Sequence, residues 1–437
     1  MPHRHVTAAL FVALLAAGLC RAQTLGDHGP DAADKADTEK TPDAPQAPRP
    51  VAAEKTAQAV LDGSPYVTPE TYGAVGDDKK DDTEAIQKLF AERHGKVIVI
   101  PGKRYLISDT IVIPKRAGFQ VIGAGFNAGG INPRHSMMGN ASRLVWIGPD
   151  DRPMVVSHGR GLIWNGVELH GRPWFRGEPE RPRAKIGFLV AKQGRGIGVG
   201  KQFFPAMAIY DCENGFQAGT TEGEHNCDNL IFGYLSLGNC TYGFRTRNHM
   251  AMDLHFQFVK GGGKMDALFY FERGGAAHIQ GLGMHSRGVK TLMKIGWDGR
   301  SNGFFSINNA KIDAQASELK MIEMEQPCPS VITISKLKRS WLNNRPTEFE
   351  GIFDLKGSAV LTIRDSQHVV GPQSFVTSPD GDGNVPNVIL DRCDLPAGTT
   401  PESLHHPKSK GKWHLAIRNC YREGGHAPVK DVDNHGD

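Results

Sequence analysis

The chain has 437 residues, with 51 Lys and Arg against 47 Asp and Glu and a net charge of +4. That length suits one large repetitive domain or two to three ordinary ones. The scattered basic excess suits an acidic polysaccharide, and the absence of Lys/Arg blocks excludes a dedicated nucleic-acid binder. At the N-terminus, Arg4 precedes an apolar run, Val6 to Leu19, too short to span a bilayer. Cys20 and Ala22 stand at the −3 and −1 positions of a cleavage site, so residues 1–22 are predicted to be a signal peptide. The chain is then exported, to the periplasm or the exterior. The alternative, a lipid-anchored Cys20, lacks the usual aliphatic-small order in Ala17-Gly18-Leu19. Residues 23–63 are rich in Ala, Pro, Asp, Lys and Thr and read as a disordered linker. No later stretch is long and apolar enough for a transmembrane helix.

One helix is predicted near the front, over about residues 82–94. Asp81 is its expected N-cap, with Glu84 completing a capping box. Ile86, Leu89 and Phe90 form the apolar stripe, and Gly95 is the stop. The stretch "FQVIGAGFNAGG" then mimics a dinucleotide-binding turn at Gly123, Gly125 and Ala128. Gly129, Gly130, Pro133 and Gly139 forbid the helix that such a site requires, so the glycines are read as turns. "GRGIGVGKQ" fails as a P-loop, because Arg195 replaces its first glycine and Gln202 its Ser/Thr. Between them, the loop "HGRPWFRGEPERPR" sets Trp174 and Phe175 among Arg172, Arg176, Arg181 and Arg183. Trp174, Arg176 and Arg181 are candidate substrate-binding residues, stacking on sugars and pairing with carboxylates. Equally, the two aromatics pin the loop to the body.

The rest of the chain repeats. "IYDCENGFQ" and "SLGNCTYGFR" place Cys212 and Cys240 four residues before Phe216 and Phe244. Leu268, Leu292, Ile322 and Phe353 continue that series at intervals of 24 to 31 residues. A second motif recurs in "VILDRCD" and "LAIRNCY", with Cys393 and Cys420 offset by 27. Segments such as "DLHFQFV" and "VITISKL" alternate apolar and polar residues, which is strand periodicity. Short strands and turns at this period predict an all-β parallel β-helix over residues 64–425, with a flexible tail over 426–437. The front helix is placed to cap its open end. Of seven cysteines, the six beyond Ala22 are expected to stack in the core as small apolar residues rather than to form disulfides.

Tyr72-Gly73-Ala74-Val75-Gly76-Asp77, Asp81-Asp82-Thr83, Ala85-Ile86-Gln87, Ile100-Pro101-Gly102 and Tyr105-Leu106-Ile107 carry a resemblance. Over about residues 68–125 the chain resembles the start of pectate lyase superfamily proteins of the rhamnogalacturonase and epimerase-like group. The resemblance implies a right-handed, single-stranded parallel β-helix and a carbohydrate-related role. The Asn-Thr-Asp, Asp-Asp, Gly-His-Gly and Arg-Ile-Lys motifs of polygalacturonases are not intact here, so their activity does not carry over. The pairs Asp77-Asp78, Asp81-Asp82 and Asp150-Asp151 read as turns and a helix cap.

Strands in the shared register project an outward column of Gln217, Arg245, Arg247, Tyr270, Glu272, Lys294, Glu323, Glu325, Asp354 and Lys356. A slip of one residue in "LFYFER" would turn Tyr270 inward. One reading is a solvated face with charges paired across rungs. The other is catalytic. β-Elimination of a uronate needs cations on the carboxylate, here Arg245, Arg247 and Lys294, and a base, here Lys294, Tyr270 or His255. His255 should point outward, since Leu254, Phe256 and Phe258 claim the interior. Hydrolysis needs two carboxylates, with Glu272 and Glu323 or Glu325 the best pair. The expected function is therefore an exported enzyme acting on an acidic, uronate-containing polysaccharide, a lyase ahead of a hydrolase. The alternative is a non-catalytic carbohydrate-binding or adhesin β-helix. No cofactor follows from the residues, and calcium enters only for a lyase.

Overall fold

The computed structural model describes residues 64–92, 96–115, 118–126, 140–172, 183–193, 198–222, 226–285, 288–296, 303–314, 319–341, 351–422, 429 and 431–435. The predicted signal peptide and linker, and the loop bearing Trp174, Arg176 and Arg181, lie outside the described residues. What is described is a parallel β-solenoid. An 18-stranded sheet and a 10-stranded sheet wrap one core, with a separate two-stranded ladder of Asp394–Leu395 and Tyr421–Arg422 near the C-terminal end. Among the described residues every strand pairing is parallel except the last, where Val432–His435 runs antiparallel along His414–Arg418. That strand lies in the stretch expected to be a flexible tail.

Two aromatic ladders fill the middle of the core. Phe188, Phe216 and Phe244 stack at 5.4 and 5.3 Å, each pair tilted by 6°. Phe204, Phe232 and Phe256 stack at 4.9 and 4.8 Å. The ladders interlock edge to face, with Phe204 on Phe216 at 5.1 Å and Phe232 on Phe244 at 5.6 Å. Rung spacing of about 4.8 Å sets these distances, and both geometries suit the ring quadrupole.

The register departs from expectation at two rungs. Phe244 pairs with Phe269, and Phe269 with Met293, rather than with Leu268 and Leu292. Leu268 instead occupies the column of Gly215 and Gly243: a Cβ on Gly243 would lie 2.7 Å from the Leu268 carbonyl oxygen. The equivalent pairs are thus Gly-Phe and Leu-Phe. A side-chain pattern scored on apolarity alone aligns the wrong member.

The two cysteine motifs prove to be one turn. Asp211, Asn239, Asp365, Arg392 and Asn419 all have φ between 51° and 59°. Each is followed by Cys212, Cys240, Ser366, Cys393 or Cys420, a small side chain suited to the crowded inside of the bend. The Cys212, Cys240 and Cys393 thiols and the Ser366 hydroxyl each donate to the carbonyl two residues earlier. All six described cysteines are free and buried.

The front helix, α1, spans Thr83–Ala91 and buries Ala85, Ile86, Leu89 and Phe90. Phe90 stacks on Trp164 at 6.3 Å, which seats the helix on the first rungs. Its N-cap is Asp82 rather than Asp81. The Asp82 carboxylate accepts from the backbone N–H of Val75 and Gly76 at 2.7 and 3.0 Å, while Asp81 takes the Thr83 N–H at 3.0 Å. Both acids are consumed by the backbone around the helix entry, the role expected of them.

Candidate functional site

The 10-stranded sheet carries the outward column. Gln217, Arg245, Tyr270, Lys294, Glu323 and Asp354 are register partners on successive rungs, so Tyr270 does not slip inward. A register shift after Thr246 leaves Glu272 as the extra residue opposite Arg247. Such a bulge re-aims a side chain, and here it lets one carboxylate reach two guanidinium groups. Arg245 Nε donates to Glu272 at 2.7 Å and Arg247 Nε lies 3.1 Å from it. Arg245 also donates to Asn214 at 3.0 Å. Its guanidinium lies 4.9 Å from the Tyr242 ring centre and 5.1 Å from that of Tyr270, within cation–π range.

One rung further, Glu325 accepts from the Tyr270 hydroxyl at 2.8 Å and from Lys294 Nζ at 2.9 Å. Burial pushes the Tyr270 hydroxyl well above its usual pKa, and the bond to Glu325 adds to this. For Lys294, burial opposes the charge, but the bond and attraction to Glu325 outweigh it and hold the pKa above normal. Glu323, the register partner of Lys294, bonds elsewhere, accepting from Thr291 at 2.9 Å with Lys320 at 3.8 Å. Burial raises the Asp354 carboxyl at the acidic end of the column.

His255 does not join these residues. It sits on the long sheet, exposed, its ring stacked 5.3 Å from His278. Phe258, expected inside, is 36% exposed and stacks on Tyr234 at 5.3 Å. The strand turns a corner at Gln257, where two consecutive residues face outward and strict alternation fails. Among the described residues no three His, Cys, Asp or Glu side chains converge to hold a metal ion.

Sequence reasoning missed a second polar group, on the outer side of the long sheet. Val167 and Leu169 enter the core, which turns Glu168 and His170 outward, yet both are buried. Arg143 Nε donates to Glu168 at 2.6 Å, and His170 Nε2 lies 3.1 Å from the same oxygen. Asp211, on the next rung, is buried, with Arg172 at 3.8 Å and one carboxylate oxygen lacking a hydrogen-bond partner. Burial raises its pKa, outweighing the attraction of His170, Arg172 and Arg183. The native state therefore holds the Asp211 proton more tightly than the unfolded chain does. Stability from this group is full below the ordinary carboxylate range and falls as pH rises toward the native value. Asp211→Asn should thus stabilise the protein at pH 7, a gain that disappears below about pH 4. Asn is accommodated because Asn239 holds the same φ one rung on. Thermal melts of both proteins across that range check this; an equal or lower melting temperature for the variant at pH 7 refutes it.

Residues 67–144 match the family model described as rhamnogalacturonase A/epimerase, pectate lyase-like. The capsule K30/K69-specific depolymerase 1 of Klebsiella phage K5-2 is 29% identical over 128 residues, which cover 29% of this chain. The match spans only 15% of that relative's own length. Among solved structures, ORF18 of Geobacillus virus E2 aligns with 87% of this chain over 66% of its own, at a TM-score of 0.45 and 13% identity. The DFA-IIIase of Arthrobacter chlorophenolicus A6 aligns with 85% of this chain over 91% of its own, at a TM-score of 0.44 and 12% identity.

Proposed function

We infer that this pectate lyase-like β-helix protein is an exported, carbohydrate-active one, working on an acidic glycan at the charged column. The observation that carries the reading is the pairing around Tyr270. Glu325 accepts from its hydroxyl and Glu272 lies two residues along its own strand, each held by cations, and all are partly exposed except the Tyr270 ring. Two carboxylates beside one binding surface are what glycoside hydrolysis uses. Arg245, Arg247 and Lys294 supply the positive charge that a uronate carboxylate seeks. The capsule depolymerase relative supports a polysaccharide substrate.

Hydrolysis is favoured here over β-elimination. Lys294 and Tyr270 both hold their protons more tightly than usual, and His255 lies on another sheet. None of the three is therefore set up as a base at neutral pH. One observation favours binding alone: the charges of the column already satisfy one another.

The test is incubation of the purified protein with uronate-containing and neutral glycans. New reducing ends, without the ultraviolet absorbance of an unsaturated uronide, are the expected result. Unsaturated product would reinstate elimination. Saturable binding without product would leave a recognition protein, and neither binding nor product would remove the reading.

A further inference from the structure

Cysteines of neighbouring rungs face one another in two places, Cys212 with Cys240 and Cys393 with Cys420, and all four are free. The second pair is fixed from both sides. Asp391 pairs with Arg418 on one ladder and Asp394 with Tyr421 on another, which leaves Cys393 opposite Cys420. Strand spacing sets their Cα atoms about 4.8 Å apart, inside the roughly 4.4–6.8 Å that a disulfide spans. Arg392 and Asn419 precede them with φ of 52° and 51°, so the two bends share one shape. Both side chains turn inward, each 1% exposed. The Cys393 N–H donates to Cys420 Sγ at 3.4 Å, which draws the second sulfur against the first residue.

The bend does not itself require sulfur. Ser366 fills the same place one rung earlier, its hydroxyl donating to the Arg364 carbonyl as the Cys393 thiol donates to that of Asp391. A small donor suffices there, and two adjacent thiols add a chemistry that hydroxyls lack. The two pairs also differ in reactivity, which follows the thiolate. Burial raises the Cys212 thiol far above its ordinary range, and its rung is covered on both sides, Tyr210 pairing with His170 and with Gly238. At the other pair, the hydrogen bond with the Cys393 side chain holds the Cys420 thiol below its usual pKa, outweighing burial. Cys420 also follows the last strand of the parallel stack. Among the described residues, that strand is covered on its far side only by the short antiparallel Val432–His435. A terminal rung opens at the least cost, which gives a reagent its way in.

We propose that Cys393 and Cys420 are a redox site, closed by a disulfide-bearing oxidant and reopened by a thiol reductant. The Cys420 thiolate attacks one sulfur of the oxidant and expels the other as a thiolate, leaving a mixed disulfide. Cys393 then gives its proton to solvent, and its sulfur attacks Cys420 Sγ and expels the second oxidant thiolate. Two protein thiols are oxidised, one oxidant disulfide is reduced to two thiols, and the two cysteine protons end on them. Bends of equal shape hold the Cβ atoms at about the strand spacing, wider than the ~3.8 Å of a relaxed disulfide. The bond is therefore strained and easily reduced. It acts as a reversible fastening of the last rung to the body. The inference stands apart from the charged column and from any glycan.

The test exposes the fully reduced, folded chain to oxidised glutathione, then alkylates it in denaturant for peptide mass spectrometry. A Cys393–Cys420 cross-link is the expected product, with Cys212 and Cys240 alkylated. Cys393→Ser should instead trap glutathione on Cys420, whereas Cys420→Ser should leave Cys393 alkylated. Ser366 shows that the bend accepts serine, and thermal melts check that both variants fold. Oxidation should slow amide hydrogen exchange in His414–Arg418 about tenfold or more, and dithiothreitol should reverse both changes. Alkylation of all four cysteines, or closure only after the chain has been unfolded, would overturn the proposal. So would linkage of Cys212 to Cys240 at the same rate, or glutathione left on Cys420 of the unsubstituted protein without closure. A cross-link that leaves exchange unchanged would remove the fastening role.

Discussion

Glu325→Gln and Glu272→Gln are each expected to lower glycan turnover by about 10²–10⁴-fold while the solenoid stays folded. Gln keeps the volume and an oxygen that can still accept from Tyr270, which bonds Glu325 at 2.8 Å, or from Arg245, which bonds Glu272 at 2.7 Å. What it loses is the ability to exchange a proton or to carry negative charge. Binding should change far less than turnover, because Arg245, Arg247 and Lys294 remain. The measurement is kcat/KM alongside affinity for an intact glycan, with a thermal melt as control. Unchanged turnover in both variants would remove the pair from catalysis. Glu323→Gln serves as the comparison: Glu323 is spent on Thr291 and Lys320, and its loss should matter least.

The second large effect concerns the fold. Phe232→Ala should cost about 3–5 kcal/mol, the range for a large aromatic removed from a close-packed core. Phe232 stacks on Phe204 and Phe256 and meets Phe216 and Phe244 edge-on, so its loss interrupts both ladders at once. The rungs on either side offer little chance of collapse, because backbone hydrogen bonds fix their spacing. Urea unfolding gives the number, and a cost below about 1 kcal/mol would mean that the interior is far looser than these ring geometries require. A solenoid sums contributions from neighbouring turns, so partial unfolding centred on this rung should accompany the loss.

The sequence carries the fold because one face of each strand must be apolar and the period of turns is visible. The charged column was legible for the same reason: Arg245, Tyr270, Lys294 and Glu323 alternate with core residues and share a register. What is hidden is whatever breaks alternation. At Gln257 the strand bends, so Phe258 is outside although its neighbours predict otherwise. Leu268 and Leu292 look like the partners of Phe244 because apolar character does not reveal that they follow a column of glycines. Nothing in "VELH" marks Glu168 and His170, because burial on an outward face leaves no trace in local pattern. Asp78 was legible only as a turn residue, since its pairing with Arg104 arises when two separate segments are brought side by side.

The repeated turn has a further implication. Tyr210-Asp211-Cys212 and Gly238-Asn239-Cys240 have the same backbone bend, the same inward thiol and strands paired residue for residue. Cutting the chain at one and rejoining it at the other would therefore leave no mismatch at the seam. Each bend is a natural splice point, and a stretch of chain between two of them can be duplicated or lost as a cassette. The solenoid's length becomes a variable that inheritance can change without redesigning the core. The position of a binding face along the axis can then drift relative to the ends, as a vernier slides along its scale.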